Sequence, residues 1–316
     1  MTPSPTILIY GAGGVGAFFG ALLVRAGYDV RFVARGAQLH ALRTRGIRIR
    51  SAFIGDMDVP TPAVFACAAD AGQADLVLVC VKTHQTDSIV DDLRAAVGPR
   101  TILVTFQNGV ESDEALAASF GASRVLPAVV YVGATVEEPG LVRHAAPAKI
   151  SIGARRGFDP ARVEAVRDLL AAAGQPVQIS ADIQRERWRK LIWNASFNSV
   201  SAITLRTPGE LLALPETRAL LLEIMHEVVS VGRALGIGLR ESDVDEHVAW
   251  TERASAMKTS TMVDRERGRT MEADALVGVI VRKGRETGVG TPACRAMYAL
   301  MVASDVQPEV SPPPSL

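Results

Sequence analysis

Apolar runs alternate with helical patterns through the first half of the chain. Residues 7–24, ILIYGAGGVGAFFGALLV, carry no charge and divide into a short strand, a glycine turn and a helix stopped by Gly27. A second strand, YDVRFVAR, follows at once. The near-continuous apolar run ADLVLVCVK at 74–82 is typical of a parallel strand covered on both faces. A helix over 86–98 then leads to another strand, TILVTFQNG, at 101–109.

The next segments extend this sheet. Between residues 45 and 70, IRIR and a proline-containing stretch predict short strands rather than a full helix. The segments VLPAVVYVGATVEEPG and HAAPAKISIG after residue 125 are rich in β-formers and punctuated by turns. A helix over 160–173 and the short strand PVQIS close this part of the chain.

From residue 182 onward the spacing of apolar residues is helical. The segments that show it are RERWRKLIWNASFNSVSAI, ALLLEIMHEVVSVGRALG and TMEADALVGVIVRKGRETG. The sequence therefore predicts an α/β fold, in which an N-terminal Rossmann-type doubly wound sheet over 1–181 is followed by an all-helical domain over 182–306, with a cleft between them. The proline-rich tail over 307–316 is too poor in apolar residues to pack and is predicted to be disordered.

The uncharged stretch at 7–24 raises the alternative of a membrane span, since its 18 residues come close to the required length. Five of them are glycine, and each glycine disfavours a helix by about 1 kcal/mol. No basic residue precedes the stretch, as a signal peptide would need. We therefore expect a cytoplasmic protein that does not use the membrane.

Charge and cysteine content exclude further classes. Lysine plus arginine equals aspartate plus glutamate, at 34 each, so no net charge attracts a nucleic acid. The three cysteines, Cys67, Cys80 and Cys294, are far apart and predict buried thiols in a reducing compartment. The five histidines show no metal-ligand spacing, so no metal site is expected.

The glycine turn has the G-x-G-x-x-G pattern of dinucleotide-binding sheets, and the strand before it and the helix after it support that interpretation. Gly11 would permit the tight turn, Gly13 would let the backbone approach a pyrophosphate, and Gly16 would let the helix press on the strand. A purely structural glycine turn is the alternative. The expected cofactor-binding residues here are Gly11, Ala12, Gly13, Gly14, Val15 and Gly16.

The end of the second strand selects the cofactor. An NAD enzyme usually has Asp or Glu there to bind the ribose hydroxyls. This strand ends in Arg35, and its one acid, Asp29, lies at the opposite end. A guanidinium can pair with a 2′-phosphate, so we predict NADP(H) rather than NAD, the alternative being that Arg35 is a solvated loop residue.

Three polar residues recur at intervals of four in an otherwise apolar helix: Lys190, Asn194 and Asn198. At 100° per residue each step drifts by about 40°, so all three share one face. That face could meet bulk solvent. However, the rest of the helix is apolar, and a buried amide without a partner costs about 1–3 kcal/mol, which favours a polar cleft.

These features together resemble the ketopantoate reductase (2-dehydropantoate 2-reductase) family. The resemblance rests on the glycine fingerprint, Arg35, VK at 81–82, QNG at 107–109, WRKL-x-x-N-x-x-x-N, and a later S-x-x-x-D-x-x-x-x-R-x-x-E, and it covers nearly the whole chain. It implies an oxidoreductase that reduces the ketone of a branched 2-oxo acid with NADPH, on the way to pantothenate and coenzyme A. The family also suggests a homodimer.

The resemblance assigns a role to each matching residue. Lys190 matches the catalytic lysine that polarises the carbonyl and donates a proton. Glu272 matches the acid of the active site, which would bind the substrate hydroxyl, hold Lys190 or contact the cofactor. The matching substrate-binding residues are Asn108, Asn194, Asn198 and Ser260, and the matching cofactor-binding residues beyond the glycine turn are Arg35, Lys82, Asn108 and Glu272.

Two departures from the family pattern concern the substrate. Pro208 stands where many members have an asparagine, and Met271 where a threonine commonly precedes the glutamate. The expected function is therefore reduction of ketopantoate, with a related reductase of another small 2-oxo acid as one alternative. The other alternative is a non-catalytic NADP-binding redox sensor, which would not need a proton donor such as Lys190.

Overall fold

A computed structural model describes residues 4–155, 157–253 and 257–305. The chain divides into two compact units, Met1–Arg187 and Trp188–Leu316. The tail predicted to be disordered, 307–316, lies outside the described residues. None of the helices in the described ranges combines the length and apolar character needed to cross a bilayer.

The first unit is a mixed α/β structure. Its strands are β1 (Thr6–Tyr10), β2 (Asp29–Val33), β3 (Ile47–Ser51), β4 (Met57–Val59), β5 (Ala63–Phe65), β6 (Ala74–Val79), β7 (Val97–Thr105), β8 (Val125–Glu138), β9 (Leu141–Ile152) and β10 (Val177–Ile179). Its helices are α1 (Gly14–Arg25), α2 (Gly36–Arg45), α3 (Ala68–Ala71), α4 (Thr86–Arg94), α5 (Ser112–Phe120) and α6 (Pro160–Ala171). Short 3₁₀ turns occupy Thr83–Gln85 and Ala122–Arg124.

The sheet order is β4-β3-β9-β8-β7-β6-β1-β2-β5, with β10 beside β9. From β8 to β5 every neighbouring pair is parallel, which is the predicted Rossmann-type core. The long hairpin of β8 and β9 is antiparallel and extends the sheet. The carboxyl ends of β2, β1, β6 and β7 therefore lie in a row at one edge, where ligands of such sheets bind.

Burial explains the apolar runs of the central strands. Ile7 and Ile9 of β1 pack on one face of the sheet with Phe18 of α1, whereas Leu8 packs on the other face with Ile89 of α4. Since both faces are covered, β1 and β6 need apolar residues at successive positions rather than at alternate ones.

Two predicted boundaries are wrong. The helix predicted over 86–98 ends at Arg94, because Val97 pairs with Ala74 and begins β7. The helix predicted to follow the glycine turn begins inside it, at Gly14. In both places tertiary contacts override local propensity.

The second unit is helical. Its elements are α7 (Ile183–Trp193), which begins before the boundary between the units, α8 (Ser199–Thr204), α9 (Pro208–Ala213), α10 (Pro215–Ala234), α11 (Glu241–Arg253), α12 (Ser260–Glu266), α13 (Val279–Thr287) and α14 (Pro292–Asp305). Two π-helical turns, Asn194–Asn198 and Asp274–Gly278, precede α8 and α13 and pack against each other. The core of this unit includes the fully buried Ile192, Phe197, Met225, Leu276 and Ile280.

Candidate active site

The glycine turn follows β1 and is hydrogen-bonded to the carboxyl end of the neighbouring strand β2. The N–H groups of Gly11 and Ala12 both donate to the carbonyl of Val33, at 3.1 and 3.0 Å. Gly11 has a φ of 100°, in the region that favours glycine. Val33 precedes Arg35 by two residues, so the turn after β1 is hydrogen-bonded to the end of the strand that leads to Arg35.

Each glycine of the motif has a different environment. A Cβ on Gly16 would lie 2.2 Å from the carbonyl oxygen of Gly11, so only glycine lets α1 approach the turn. A Cβ on Gly14 would lie 2.3 Å from the carbonyl oxygen of Ala134 in β8. A Cβ on Gly13 would meet no atom within 4 Å, so its side is open. The backbone is open at Gly13 and closely packed at Gly14 and Gly16. An open backbone at the N-terminus of a helix fits a pyrophosphate.

Gln38 of α2 holds the glycine turn in place. The sequence did not predict this role. Its Nε2 donates to the carbonyl of Ala12 at 2.8 Å, and its Oε1 accepts from the N–H of Gly140 at 3.0 Å. One side chain therefore ties the glycine turn to the hairpin of β8 and β9. No motif marks a single glutamine of this kind in a sequence.

Arg35 is exposed and directly precedes α2. Its Nη2 lies 3.5 Å from the hydroxyl of Tyr10, which donates to Asp92 Oδ2 at 2.6 Å. Burial and the hydrogen bond to Asp92 raise the pKa of Tyr10, and the charge of Arg35 opposes this rise. The tyrosine therefore remains a neutral phenol that bridges Asp92 and Arg35.

Lys82 and Asn108 follow the two strands on the other side of β1. The N–H of Lys82 donates to Gln85 Oε1 at 3.3 Å, in the 3₁₀ turn after β6. Asn108 lies three residues beyond the end of β7. The first unit thus brings the glycine turn, Arg35, Lys82 and Asn108 to one edge of the sheet.

In the helical unit, Lys190 lies in the last turn of α7, half-buried beside Glu272. Burial lowers the pKa of Lys190 from 10.5 to about 8, while the negative charge of Glu272 opposes the shift. An ammonium group in this state gives up its proton more readily than an exposed lysine does.

The two asparagines bound the π-helical turn that continues α7. Asn194 and Asn198 are 4% and 2% exposed, so neither faces bulk solvent. Serine hydroxyls donate back to carbonyls one turn earlier, Ser196 to Ile192 at 2.8 Å and Ser199 to Ala195, which accompanies the widened turn. π-helical turns occur frequently at functional sites.

Glu272 is 4% exposed and ends a loop that is held at both sides. Arg269 donates to Asp264 Oδ1 at 2.9 Å, and the N–H of Met271 donates to Asp305 Oδ2 at 3.0 Å. Two of the four residues of the S-x-x-x-D-x-x-x-x-R-x-x-E pattern, Asp264 and Arg269, are therefore an ion pair in the segment that leads to Glu272.

Ser260 is exposed at the first position of α12, which Thr259 caps by accepting from the N–H of Met262 at 3.2 Å. Helix α12 packs against α8 and against the π-helical turn Asn194–Asn198. The second unit therefore places the elements that carry Lys190, the two asparagines, Ser260 and Glu272 next to one another.

Pro208 has a local structural explanation. Thr207 caps α9 by accepting from the N–H of Glu210 at 3.4 Å, and Glu210 accepts in return from the N–H of Thr207 at 2.7 Å. Proline suits the first helical position of this capping box. The same T-x-x-E signature was present in the sequence.

A buried ion pair was also missed. Arg187 and Asp113 are both buried, Arg187 donates to Asp113 Oδ1, and Arg155 donates to Asp113 Oδ2 at 2.5 Å. Burial lowers the pKa of Arg187, and Asp113 opposes the shift. Its partners are far apart in sequence, so spacing cannot reveal it. Across the described ranges, no cluster of His, Cys, Asp and Glu could hold a metal ion.

Comparisons with known proteins identify the family of this chain. Residues 7–157 match the profile of the ketopantoate reductase PanE/ApbA family, and residues 182–304 match its C-terminal domain. The chain is 33% identical to 2-dehydropantoate 2-reductase of Mesorhizobium japonicum, over 93% of this chain and 96% of that protein.

Solved structures share the fold. A crystal structure of 2-dehydropantoate 2-reductase from Geobacter metallireducens has a TM-score of 0.90 and 32% identity, covering 95% of this chain and 99% of that one. A ternary structure of D-mandelate dehydrogenase with NADH and anilino(oxo)acetate has a TM-score of 0.87 at 21% identity, covering 95% and 98%, which shows the fold alone. The chain belongs to the ketopantoate reductase family of pyridine-nucleotide-dependent oxidoreductases.

Proposed function

We propose that this enzyme reduces 2-dehydropantoate to pantoate with NADPH, a step toward pantothenate and coenzyme A. The observation that carries the proposal is Lys190, whose ammonium group lies half-buried beside Glu272 and has a pKa lowered to about 8. Relatives more than 30% identical bear the name of this activity.

The chemistry requires a hydride and a proton. The reduced nicotinamide supplies the hydride to the 2-oxo carbon when it is bound. The carbonyl oxygen gains a negative charge, and Lys190 stabilises this charge and transfers a proton from Nζ to the oxygen. The products balance as pantoate, the oxidised cofactor and neutral Lys190. General-acid help of this kind is worth about 10²–10⁴-fold in rate.

Glu272 has two roles in this proposal. Its negative charge favours the ammonium form of Lys190, so the proton donor is loaded at neutral pH. Its carboxylate also accepts a hydrogen bond from the substrate hydroxyl or contacts the cofactor. Because Glu272 is buried, its charge acts on Lys190 with little screening by solvent.

The proposed substrate-binding residues are Asn194, Asn198, Ser260 and Asn108. In the part of the chain that the structure describes, Asn198 Oδ1 is buried without a hydrogen-bond partner. A buried acceptor of this kind suits a hydroxyl group of the substrate. Ser260, which is exposed, is assigned to the substrate carboxylate.

The proposed cofactor site follows the edge of the sheet. Residues 11–16 would hold the pyrophosphate at the N-terminus of α1, where Gly13 is open and Gly16 is closely packed. Arg35 would pair with the 2′-phosphate of NADPH. Lys82 and Asn108 would contact the other half of the cofactor, after β6 and β7.

The test is NADPH oxidation with 2-dehydropantoate and a panel of other small 2-oxo acids. We expect the highest kcat/KM for 2-dehydropantoate and a kcat for Lys190→Ala about 10²–10⁴-fold lower than for the wild type. Lys149→Ala, which alters an exposed lysine of β9, is the matched control and should keep full activity. Unchanged turnover in Lys190→Ala would disprove the catalytic role.

A second candidate keeps the chemistry but changes the acid that is reduced. Pro208 replaces an asparagine of the family pattern and is used as the first residue of α9. D-mandelate dehydrogenase, whose structure contains NADH and anilino(oxo)acetate, shares this fold, which is consistent with a different acid as the substrate. A higher kcat/KM for another acid in the panel would favour this candidate, and turnover of none would favour a non-catalytic redox sensor.

We also propose that the enzyme works in the cytoplasm as a homodimer. Its three cysteines, Cys67, Cys80 and Cys294, are free thiols. Free thiols that form no disulfide suit a reducing compartment.

A further inference from the structure

Gln107 lies two residues after the end of β7, directly before Asn108. The chain still follows the sheet here, because the N–H of Phe106 donates to the carbonyl of Val79 in β6 at 2.9 Å. The side chain of Gln107 is only 8% exposed. A buried amide therefore stands at the carboxyl end of a central parallel strand.

The orientation of this amide is fixed by its neighbours. The hydroxyl of Thr86 donates its one proton to the carbonyl of Thr83 at 2.8 Å, so it can only accept from Gln107. Gln107 Nε2 is the group that donates to it, at 2.9 Å. The other end of the amide, Oε1, must then be an acceptor.

That acceptor is unsatisfied. Gln107 Oε1 is buried and has no hydrogen-bond partner among the residues that the structure describes. A buried carbonyl-type oxygen without a donor is unfavourable, and such groups in folded proteins usually have a partner. A donor from a bound ligand, or one buried water molecule, would satisfy it.

The order of the strands indicates which part of a ligand is nearby. Arg35 follows β2 and the glycine turn follows β1, and β6 and β7 come next along the same edge. With roughly 4.8 Å between neighbouring strands, the end of β7 lies about 14 Å from the end of β2. A cofactor with its 2′-phosphate at Arg35 and its pyrophosphate at the glycine turn extends its nicotinamide half toward β6 and β7.

We propose that Gln107 Oε1 accepts a hydrogen bond from the nicotinamide nucleoside half of the cofactor, either from the carboxamide N–H or from a ribose hydroxyl. Gln107 is thus an additional cofactor-binding residue, held in position by Thr86. This inference rests on the proposed use of NADPH.

Binding of NADPH, followed by its fluorescence, tests the contact with three variants. Gln107→Leu removes the acceptor and the link to Thr86, and we expect about tenfold weaker binding. Thr86→Val removes only the link, so it should weaken binding less. Gln73→Leu, which changes an exposed glutamine before β6, is the control and should bind like the wild type.

A cofactor analogue distinguishes the two donors. The reduced acetylpyridine analogue of NADPH has a methyl group in place of the carboxamide nitrogen. If the carboxamide donates, the wild type binds the analogue more weakly than NADPH, and Gln107→Leu binds both alike. If a ribose hydroxyl donates, Gln107→Leu weakens the binding of NADPH and of the analogue by the same factor.

Two results would overturn the inference. Wild-type affinity in Gln107→Leu would mean that the oxygen has another partner, such as a buried water. Equal losses in Gln107→Leu and Thr86→Val would mean that Gln107 only supports the 3₁₀ turn at Thr83–Gln85. Failure of the wild type to bind NADPH would instead refute the proposed function.

Discussion

At the scale of single residues, the chemistry depends on side chains whose surroundings change their properties. An exposed lysine has a pKa of 10.5. Burial lowers the pKa of Lys190 to about 8 and so makes it a stronger acid, although the charge of Glu272 opposes this shift. Arg35 stays exposed and keeps its charge available to a ligand. The sequence indicated both residues through their positions in motifs, whereas the shift in the pKa of Lys190 required its neighbours in space.

The pH dependence of the reaction should report on Lys190. The ammonium form donates the proton, so kcat/KM for ketone reduction should be constant below about pH 8 and fall about tenfold per pH unit above it. Oxidation of the hydroxy acid needs the neutral amine and should show the opposite trend. Initial rates across a pH series would measure both.

The same series in Glu272→Gln provides a check on the cause. The carboxylate favours the ammonium form, so its removal should move the fall in kcat/KM to lower pH. A fall at the same pH in both proteins would show that Glu272 does not tune Lys190. Glu286→Gln, which alters an exposed glutamate of α13, is a suitable control.

Cofactor choice should depend on Arg35. We expect Arg35→Ala to weaken NADPH binding by roughly 10–100-fold, because it removes a charge-assisted contact to the 2′-phosphate, and to change NADH binding little. Separate titrations with the two cofactors measure this. Arg25→Ala, at the exposed end of α1, should leave both affinities unchanged. Equal losses for NADPH and NADH would mean that Arg35 does not contact the phosphate.

At the scale of elements, the glycine turn and the π-helical turns differ in how well the sequence reveals them. The order strand, glycine turn, helix was predicted because each part has its own composition and periodicity. The π-helical turn Asn194–Asn198 was not predicted, since the sequence suggested one regular helix. Serine hydroxyls donate to backbone carbonyls within it, and Asp274–Gly278 packs against it.

Two glycines of the turn should respond differently to alanine. In Gly16→Ala the new Cβ would lie 2.2 Å from the carbonyl oxygen of Gly11, so we expect a loss of about 1–3 kcal/mol in the free energy of unfolding. In Gly13→Ala the Cβ has open space and an ordinary φ of −77°, so stability should be kept. The same methyl group would obstruct the pyrophosphate, and cofactor affinity should fall. Thermal unfolding and cofactor titration of both variants test this contrast. Equal Tm values in the two variants would contradict it.

At the scale of the whole molecule, the sequence predicted the fold class and the family. An α/β unit of Rossmann type followed by a helical unit is the observed architecture. The sequence could not give the sheet order, in which β3 and β4 join the sheet through β9 and not beside β2. Strand pairing of that kind depends on long-range contacts, and the composition of a strand does not specify its neighbour.

The residues of the candidate site also differ in whether the sequence or only the structure revealed them. Lys190, Arg35, the asparagines and the glycine turn were predicted from local motifs, and their roles in binding and catalysis remain predictions. Gln38 and the pair of Arg187 with Asp113 came only from the structure, and so did the contact and unsatisfied acceptor of Gln107, which the sequence indicated only as part of the QNG motif. Each of them is an ordinary residue whose importance comes from a partner distant in the chain.

The sequence by itself determined the strand, glycine turn and helix at the N-terminus, the helical character of the second unit, and the family that the chain resembles, because periodicity and motif spacing are local properties. Tertiary structure decided the pairing of the strands, the burial that lowers the pKa of Lys190, and the acceptor left on Gln107. These depend on distances between residues far apart in the chain. Solvent exclusion and hydrogen-bond geometry exist only after those residues have come together.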